Sequence, residues 1–106
     1  MTRLTSSFWV QAYIKRLNLI GVPAFVVSHG DDTAGAIIVK VNKLNGDAVL
    51  FERSFSLEEN ISQWSKCQSG DETELDELLS RQLSRDSDLW IIEIESRQGD
   101  AYLDDI

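Results

Sequence analysis

The only histidine of this sequence lies beside two carboxylates, the arrangement in the chain best suited to proton transfer. His29 is followed by Asp31 and Asp32, and histidine is the side chain that gains and loses a proton near neutral pH. The two aspartates could also bind a hard cation. A general-base role requires a nucleophile and a pocket, and neither Ser28 nor Thr33 lies in a known nucleophile motif. The lack of such a motif favours a solvated turn histidine over a catalytic one.

Carboxylates elsewhere in the chain could bind Mg²⁺ or Ca²⁺. Glu93 and Glu95 are two residues apart in a predicted strand, so their side chains share one face of it. Asp100 with Asp104 and Asp105 forms another such group. None of these groups follows a calcium-loop pattern. The interpretation we favour is therefore surface charge without a bound metal.

Other common kinds of functional site are not indicated. A structural zinc site needs several Cys or His ligands, and the chain has one of each, His29 and Cys67. The glycines within residues 30–35 are not followed by the Gly-Lys-Ser/Thr signature of a phosphate loop. We predict no cofactor. If the protein carries out chemistry, the candidate site consists of His29, Asp31, Asp32, Glu93 and Glu95.

Charge is distributed unevenly along the 106 residues, which have a formal net charge of −8. Residues 1–55 carry six Lys/Arg against four Asp/Glu, whereas residues 56–106 carry four against fourteen. Such an acidic chain disfavours nucleic acids and anionic membranes, because binding to them depends on neutralising phosphates. A nucleic-acid interface would require basic residues of the first half to converge in one patch: Arg3, Lys15, Arg16, Lys40 and Lys43.

The composition also bears on the cellular compartment. A single cysteine cannot form an internal disulfide, which fits a reducing environment. No apolar run approaches the roughly 18 residues that span a bilayer, and the first residues do not lead into the apolar core of a signal peptide. We expect one globular domain over residues 1–106, located in the cytoplasm and without membrane contact.

The clearest secondary structure that could position these residues is a hairpin within residues 35–55. Two runs rich in β-branched and aromatic residues flank Asn45-Gly46, the strongest short-range hairpin signal. A three-residue loop places Val39 opposite Phe51 and collects the apolar side chains on one face, which a two-residue loop does not. The glycine would then take the left-handed conformation of the loop.

Two helices are predicted from apolar residues at three- and four-residue spacing. The first spans residues 7–20, with a candidate N-cap among residues 5–7. The second begins at Asp71, which forms a capping box with Glu74 three residues later. The two apolar stripes are Trp9, Val10, Tyr13, Ile14, Leu17 and Ile20 in the first helix, and Leu75, Leu78, Leu79 and Leu83 in the second.

Further strands are predicted on both sides of the hairpin and second helix. Residues 23–28 form one, residues 61–68 are a weak candidate, and residues 101–103 could form a short extended piece. The most apolar strand is 89–95, in which Trp90, Ile92 and Ile94 face a helix. Leu89 and Ile91 on its other face suggest partial cover there as well.

These elements follow one another in the order α-β-β-β-(β)-α-β. Hairpin connections give antiparallel pairing, and two amphipathic helices can cover one face of the resulting sheet. We therefore predict an α+β fold, with an antiparallel β-sheet of four to five strands and both helices packed on one face.

Three segments of the chain carry a resemblance to a known family. They are residues 8–16, residues 34–36 before the hairpin, and residues 86–95, where Asp-x-Asp-Leu-Trp followed by Glu-x-Glu is the most specific part. Together they resemble small alphaproteobacterial proteins known only as a domain of unknown function, over roughly residues 3–103. The resemblance implies a bacterial cytoplasmic setting, and it implies no activity, cofactor or catalytic residue.

The spread of charged residues and the lack of a catalytic constellation favour binding over chemistry. We expect a non-catalytic module that binds a protein partner or forms a homo-oligomer, because short strands leave edges that can pair with another chain. The alternative is a small enzyme or ligand-binding protein that uses the carboxylates near His29 or those of Glu93 and Glu95.

Overall fold

The computed structural model describes residues 5–56 and 61–103, which form one mixed β-sheet and two helices. In chain order the elements are α1 (Ser6–Leu19), β1 (Ala24–Ser28), β2 (Ile37–Asn42), β3 (Asp47–Ser56), β4 (Ile61–Asp71), α2 (Glu72–Arg85) and β5 (Trp90–Glu95). The predicted α+β class and element order are confirmed, including the weakly indicated strand β4. Residues 101–103 form no strand, and Ala101 is instead buried in the core.

The β2–β3 hairpin has the register that apolar pairing predicts. Val39 lies opposite Phe51, and Val41 lies opposite Val49. Gly46 has a φ of +93°, a conformation in which a Cβ atom would be strained. Turn chemistry and hydrophobic alternation agree here, which explains why this hairpin can be derived from local sequence alone.

Both helices are 14 residues long and are capped by side chains. The Thr5 hydroxyl accepts a hydrogen bond from the Phe8 N–H at 3.2 Å, and the Asp71 carboxylate accepts one from the Glu74 N–H at 3.1 Å. The predicted stripe of α1 ends before Ile20, whose side chain is exposed. No helix in the described part of the chain is long and apolar enough to cross a membrane.

The strand order is β1-β5-β2-β3-β4, and one pair in it differs from the prediction. β5 is antiparallel to β1 but parallel to β2, so the expectation of a wholly antiparallel sheet is wrong for this pair. The reason is the connection through α2. A helix that connects two strands allows the second strand to run in the same direction as the first. β5 therefore runs in the direction of β4, which is also the direction of β2, and it lies beside β2.

The expectation that both helices cover one face is also wrong, because they cover opposite faces. The α1 side is built from Trp9, Val10, Tyr13 and Leu17 against Ile37, Val39, Val41, Val49, Trp90, Ile92 and Ile94. The α2 side is built from Leu75 and Leu79 against Ile38, Ala48, Leu50, Leu89 and Ile91. Because β2 and β5 carry apolar side chains on both faces, each face requires its own helix.

Trp90 connects the sheet to the loop that follows β1. Its side chain is 2% exposed and belongs to the α1-side core. The indole Nε1 donates a hydrogen bond to the carbonyl oxygen of Asp31 at 2.8 Å. The ring therefore contributes both apolar burial and a polar link between two parts of the chain that are distant in sequence.

We expect Trp90→Ala to lower the free energy of unfolding by about 3–5 kcal/mol, because it removes a buried aromatic ring and leaves a cavity. Asp32→Ala, which truncates an exposed carboxylate, should change it by no more than about 0.5 kcal/mol. Urea denaturation of the two variants and the wild type would measure both effects. An equal loss in both variants would contradict the assignment of Trp90 to the core.

Candidate functional site

The five residues predicted as a candidate site lie in two separate places. The three residues around the histidine belong to the loop between β1 and β2, and the His29 ring lies 4.1 Å from the Trp90 ring, between centroids. Glu93 and Glu95 lie on β5 and face the side of the sheet that carries α2. Since Trp90 packs on the α1 side, the sheet separates the two groups.

Asp31 shapes the loop in which it lies. One of its carboxylate oxygens accepts hydrogen bonds from the N–H groups of Thr33 at 3.1 Å and Ala34 at 2.9 Å. Its own N–H donates to the carbonyl of Asp88 at 3.0 Å, and its carbonyl accepts from Trp90. These contacts give Asp31 a structural role at the start of β5.

The glycines of this loop allow a close approach between backbones. A Cβ atom at Gly30 or at Gly35 would lie 2.2 Å from the carbonyl oxygen of Asp88, which no side chain tolerates. The buried Ser6 hydroxyl donates to the Gly35 carbonyl at 2.6 Å, and the Ser6 N–H donates to the Thr33 carbonyl at 3.1 Å. The loop therefore joins the N-terminus of α1 to the beginning of β5.

His29 and Asp32 form a contact at the surface. His29 Nε2 lies 2.7 Å from Asp32 Oδ1, with side chains that are 64% and 72% exposed, so solvent screens their attraction. This is the position of a solvated turn histidine. Within residues 5–56 and 61–103, no group of three His, Cys, Asp or Glu side chains could hold a metal ion. Asp104 and Asp105 lie outside the described residues.

A buried ion cluster is the most distinctive polar feature of the fold, and sequence reasoning missed it. The Lys40 side chain on β2 is 4% exposed, and its ammonium lies 2.7 Å from Glu72 and 2.6 Å from Asp76 on α2. Glu93 on β5 lies 3.3 Å from the same ammonium. The amide of Asn42 donates to Glu72 at 3.1 Å and to Glu93 at 3.3 Å.

The cluster holds Lys40 in its charged form. Burial favours the neutral amine, but hydrogen bonds to Asp76 and Glu72 and the charge of Glu93 outweigh it, so the pKa of Lys40 is raised above its ordinary value of 10.5. A lysine in this state is neither a nucleophile nor a base at neutral pH. Its burial also removes one of the basic residues that a nucleic-acid patch would require.

The sequence does contain a signal for this cluster. Lys40 and Asn42 interrupt a strand that is otherwise apolar on both faces, and they share the face of Ile38. Glu72 and Asp76 are four residues apart on α2 and therefore lie on one side of that helix. A cation inside a two-sided apolar strand requires buried anionic partners, but only the tertiary fold identifies which carboxylates they are.

An exposed apolar edge is the second distinctive feature. In the strand order β1 is outermost, and three consecutive residues in it are exposed: Phe25 by 50%, Val26 by 44% and Val27 by 57%. Within the described residues, no strand pairs with the outer side of β1. We call these three residues the β1 edge.

The orientation of the backbone along β1 follows from its pairing with β5. The N–H of Glu95 donates to the carbonyl of Pro23 at 3.1 Å, so the backbone of residue 23 faces β5. In an antiparallel pair, successive residues direct their N–H and C=O groups alternately toward and away from the partner. The polar groups of Ala24 and Val26 therefore face outward, up to the bulge that follows Val26.

A groove lies between α1 and β1, beside this edge. Its volume is about 390 Å³, and its apolar lining comes from Val10, Ile14, Val26 and Trp90. Polar side chains form the remainder of the lining: Ser7, Gln11, Lys15, Asn18 and His29. Such a mixture of an apolar lining with scattered polar groups is typical of a ligand or side-chain binding site.

Cys67 occupies a bulge of β4 and does not have the environment of a reactive thiol. Its position falls between the residues that pair with Leu50 and Phe51, and its Sγ donates to the Leu50 carbonyl at 3.5 Å. Partial burial, together with the charge of Glu52, raises the pKa of the Cys67 thiol. The thiol is therefore protonated at neutral pH, whereas reactive cysteines are those with a lowered pKa.

Comparisons with known proteins point to a single family. Residues 4–104 match the family model described as "Protein of unknown function (DUF1491)". The crystal structure of a DUF1491 family protein from Caulobacter crescentus CB15 is 36% identical, with 96% of each chain covered and a TM-score of 0.84. The solution structure of protein Atu0922 from A. tumefaciens is 30% identical, with 90% of this chain and 87% of that chain covered and a TM-score of 0.76. The comparison with curated proteins gave no match.

We expect the loss of the Lys40 cation to lower the free energy of unfolding less than the loss of its two carboxylate partners on α2. Lys40→Met leaves carboxylates that are 22–53% exposed and can be rehydrated, so it should lower the free energy of unfolding by about 1–2 kcal/mol, within the usual range for a single substitution. The double variant Glu72→Gln with Asp76→Asn leaves a buried ammonium with a single carboxylate and should cost about 3–5 kcal/mol.

Urea denaturation at pH 7 and pH 9 would test this. Because the pKa of Lys40 is raised, its contribution is fully present below the pKa of the unfolded state and is lost only as pH rises through the higher folded value. The difference between wild type and Lys40→Met should therefore be equal at both pH values. A larger cost for Lys40→Met than for the double variant would contradict the assigned burial.

Proposed function

The chain belongs to the DUF1491 family, proteins of unknown function, and from its exposed edge strand we propose that it is a protein-interaction module that binds an extended segment of a partner as an additional strand beside β1. The family match also confirms the resemblance to alphaproteobacterial proteins of unknown function. In this mode of recognition, backbone hydrogen bonds along a sheet edge supply affinity, and pockets for alternate side chains supply specificity.

The β1 edge is the observation on which the proposal depends. An exposed apolar edge strand is an aggregation hazard, and proteins usually blunt such edges with charged side chains, proline, bulges or covering elements. The β1 edge instead presents Phe25, Val26 and Val27, each more than two-fifths exposed. Contiguous exposed apolar residues are characteristic of interaction surfaces.

The opposite edge of the same sheet provides an internal comparison. β4 is the other outermost strand, and its residues 65–71 are polar apart from Cys67 and Gly70 and include Lys66. It also carries a bulge at its pairing with Leu50 and Phe51. Both devices discourage the addition of another strand. From residue 65 onward β4 is therefore protected, whereas β1 has only its short length, Pro23 before its first residue and the bulge after Val26.

Charge favours a different protein over a second copy as the partner. The chain has a net charge of −8, and two identical acidic chains repel each other on approach. β1 itself carries no charged residue that could offset this repulsion. A homo-oligomer built by pairing two β1 strands is thus the less favoured occupant of the edge.

The alternative of a small enzyme or ligand-binding protein has weaker support. It requires the carboxylates near His29, or those of Glu93 and Glu95, to converge on a reacting group. The sheet lies between these two groups, and Glu93 is engaged with Lys40. His29 does line the groove between α1 and β1, which could equally hold a side chain of a bound segment.

The proposal predicts that Val26→Pro weakens partner binding at least about tenfold, whereas Val26→Thr does not. Proline removes the outward N–H while leaving the bonds to β5 intact, since an edge strand tolerates proline on its solvent side. Threonine has nearly the same shape and keeps the N–H. A partner captured from the native host should be identified and purified, and its affinity for the wild type and both variants measured by calorimetry.

Hydrogen exchange on the wild-type complex provides an independent measurement that does not depend on the proline variant folding. The Val26 amide should become protected when the partner binds, because its N–H would enter a new backbone hydrogen bond. Equal affinity of the wild type and Val26→Pro, with no added protection at Val26, would refute strand addition.

A further inference from the structure

We infer that the partner segment alternates large apolar side chains with arginine or lysine along its length. This inference rests on the proposed function, because it describes the chemistry of the strand that would pair with β1. The basis is that the sheet has two different faces at β1. The face toward α1 is apolar and carries the groove, whereas the face toward α2 carries an aromatic ring and acidic side chains.

An added strand would present its side chains to these two faces in turn. Successive side chains of a strand point to opposite faces of a sheet. In β1, Val26 lies opposite Ile92 and so belongs to the α1 side, whereas Phe25 lies opposite Glu93 and so belongs to the α2 side. Neighbouring residues of the partner would therefore meet two different chemical environments.

On the α1 side, the environment selects a large apolar side chain. The groove of about 390 Å³ adjoins Val26 and has Val10, Ile14 and Trp90 in its lining. A leucine, isoleucine, valine or aromatic side chain from an added strand would lose water-exposed apolar area there. A charged side chain at the same position would have to be desolvated against these apolar residues.

On the α2 side, the environment selects a basic side chain. The half-exposed Phe25 ring lies next to β5, where Glu93 and Glu95 face the same side. Glu93 already contacts Lys40, but Glu95 has no ion-pair partner within the described residues. An acidic side chain from the partner would be repelled at this position.

Arginine and lysine also fit the distances involved. Adjacent strands are about 4.8 Å apart, so an added strand would lie about 10 Å from β5. The apolar stem of a basic side chain can cross the Phe25 ring, with a cation–π contribution, while its charged head approaches Glu95. The distribution of charge along the chain also favours a basic partner segment. Residues 56–106 carry fourteen Asp/Glu against four Lys/Arg and attract such a segment at long range.

The test uses three blocked peptides of about ten residues, titrated by calorimetry into the full chain. The first alternates Val and Arg. The second has the same composition with the Val and Arg residues in two separate blocks, and the third alternates Val and Glu. We expect the alternating Val/Arg peptide to bind at least about tenfold more tightly than either of the others, because only it matches both faces.

Matched variants locate the charge contact. Glu95→Gln should weaken the Val/Arg peptide about three- to tenfold, and Glu77→Gln, which makes the same change on the exposed side of α2, should leave its affinity unchanged. Val26→Pro should abolish binding. Equal weakening by both Glu→Gln variants would mean non-specific attraction to an acidic chain and would overturn the inference.

Other outcomes separate this inference from the proposed function. Equal affinity for the block peptide or for the Val/Glu peptide would overturn the inference. If no peptide binds, while a native partner still protects the Val26 amide, the inference fails and strand addition stands. If light scattering detects a dimer that Val26→Pro dissociates, the occupant is a second copy and the inference is overturned.

Discussion

A sheet whose central strands are apolar on both faces must be covered twice, and this constraint organises the whole fold. In β2, Val39 points to one side and Ile38 to the other, and in β5 the same holds for Ile92 and Ile91. Neither strand could be stable with one face in water. α1 covers one face and α2 the other, and the passage of the chain through α2 is also what places β5 parallel to β2.

Lys40 is the charged exception within this apolar layer. Its burial is energetically unfavourable by itself, but it can give the helix a defined position. Burying an ammonium requires several close anionic partners, and the fold supplies two of them, Glu72 and Asp76, from one turn of α2. Apolar contacts are non-directional, whereas the ion cluster requires Lys40 and its carboxylates to lie within hydrogen-bond or ion-pair distance of one another. We infer that Lys40 fixes the position of α2 over β2, in the way that single buried polar groups fix register elsewhere.

The sequence could predict those features of the fold that are determined by patterns among neighbouring residues. The hairpin register, both N-caps and the weak strand β4 follow from alternation, turn residues and capping, each read within a few neighbouring residues. The assignment of helices to faces, the parallel pair and the Lys40 cluster could not be predicted. They depend on which distant segments meet, and periodicity identifies a buried face without identifying what buries it. Leu89 and Ile91 were a local sign of a second covered face.

The same constraint explains why β1 is exposed. A helix is about 10 Å wide and strands are about 4.8 Å apart, so one helix covers roughly two strands. α2 packs its apolar side chains on β2 and β3 and reaches only the start of β5, which leaves the remainder of that face open toward β1. The open part of β5 carries Glu95, a charged side chain of the kind that a solvent-facing surface favours, whereas Glu93 beside it contacts the buried Lys40. Phe25, directly opposite Glu93, breaks this rule although nothing in the helix packing requires an aromatic ring there. The proposed addition of a partner strand to β1 would account for this exposed aromatic side chain.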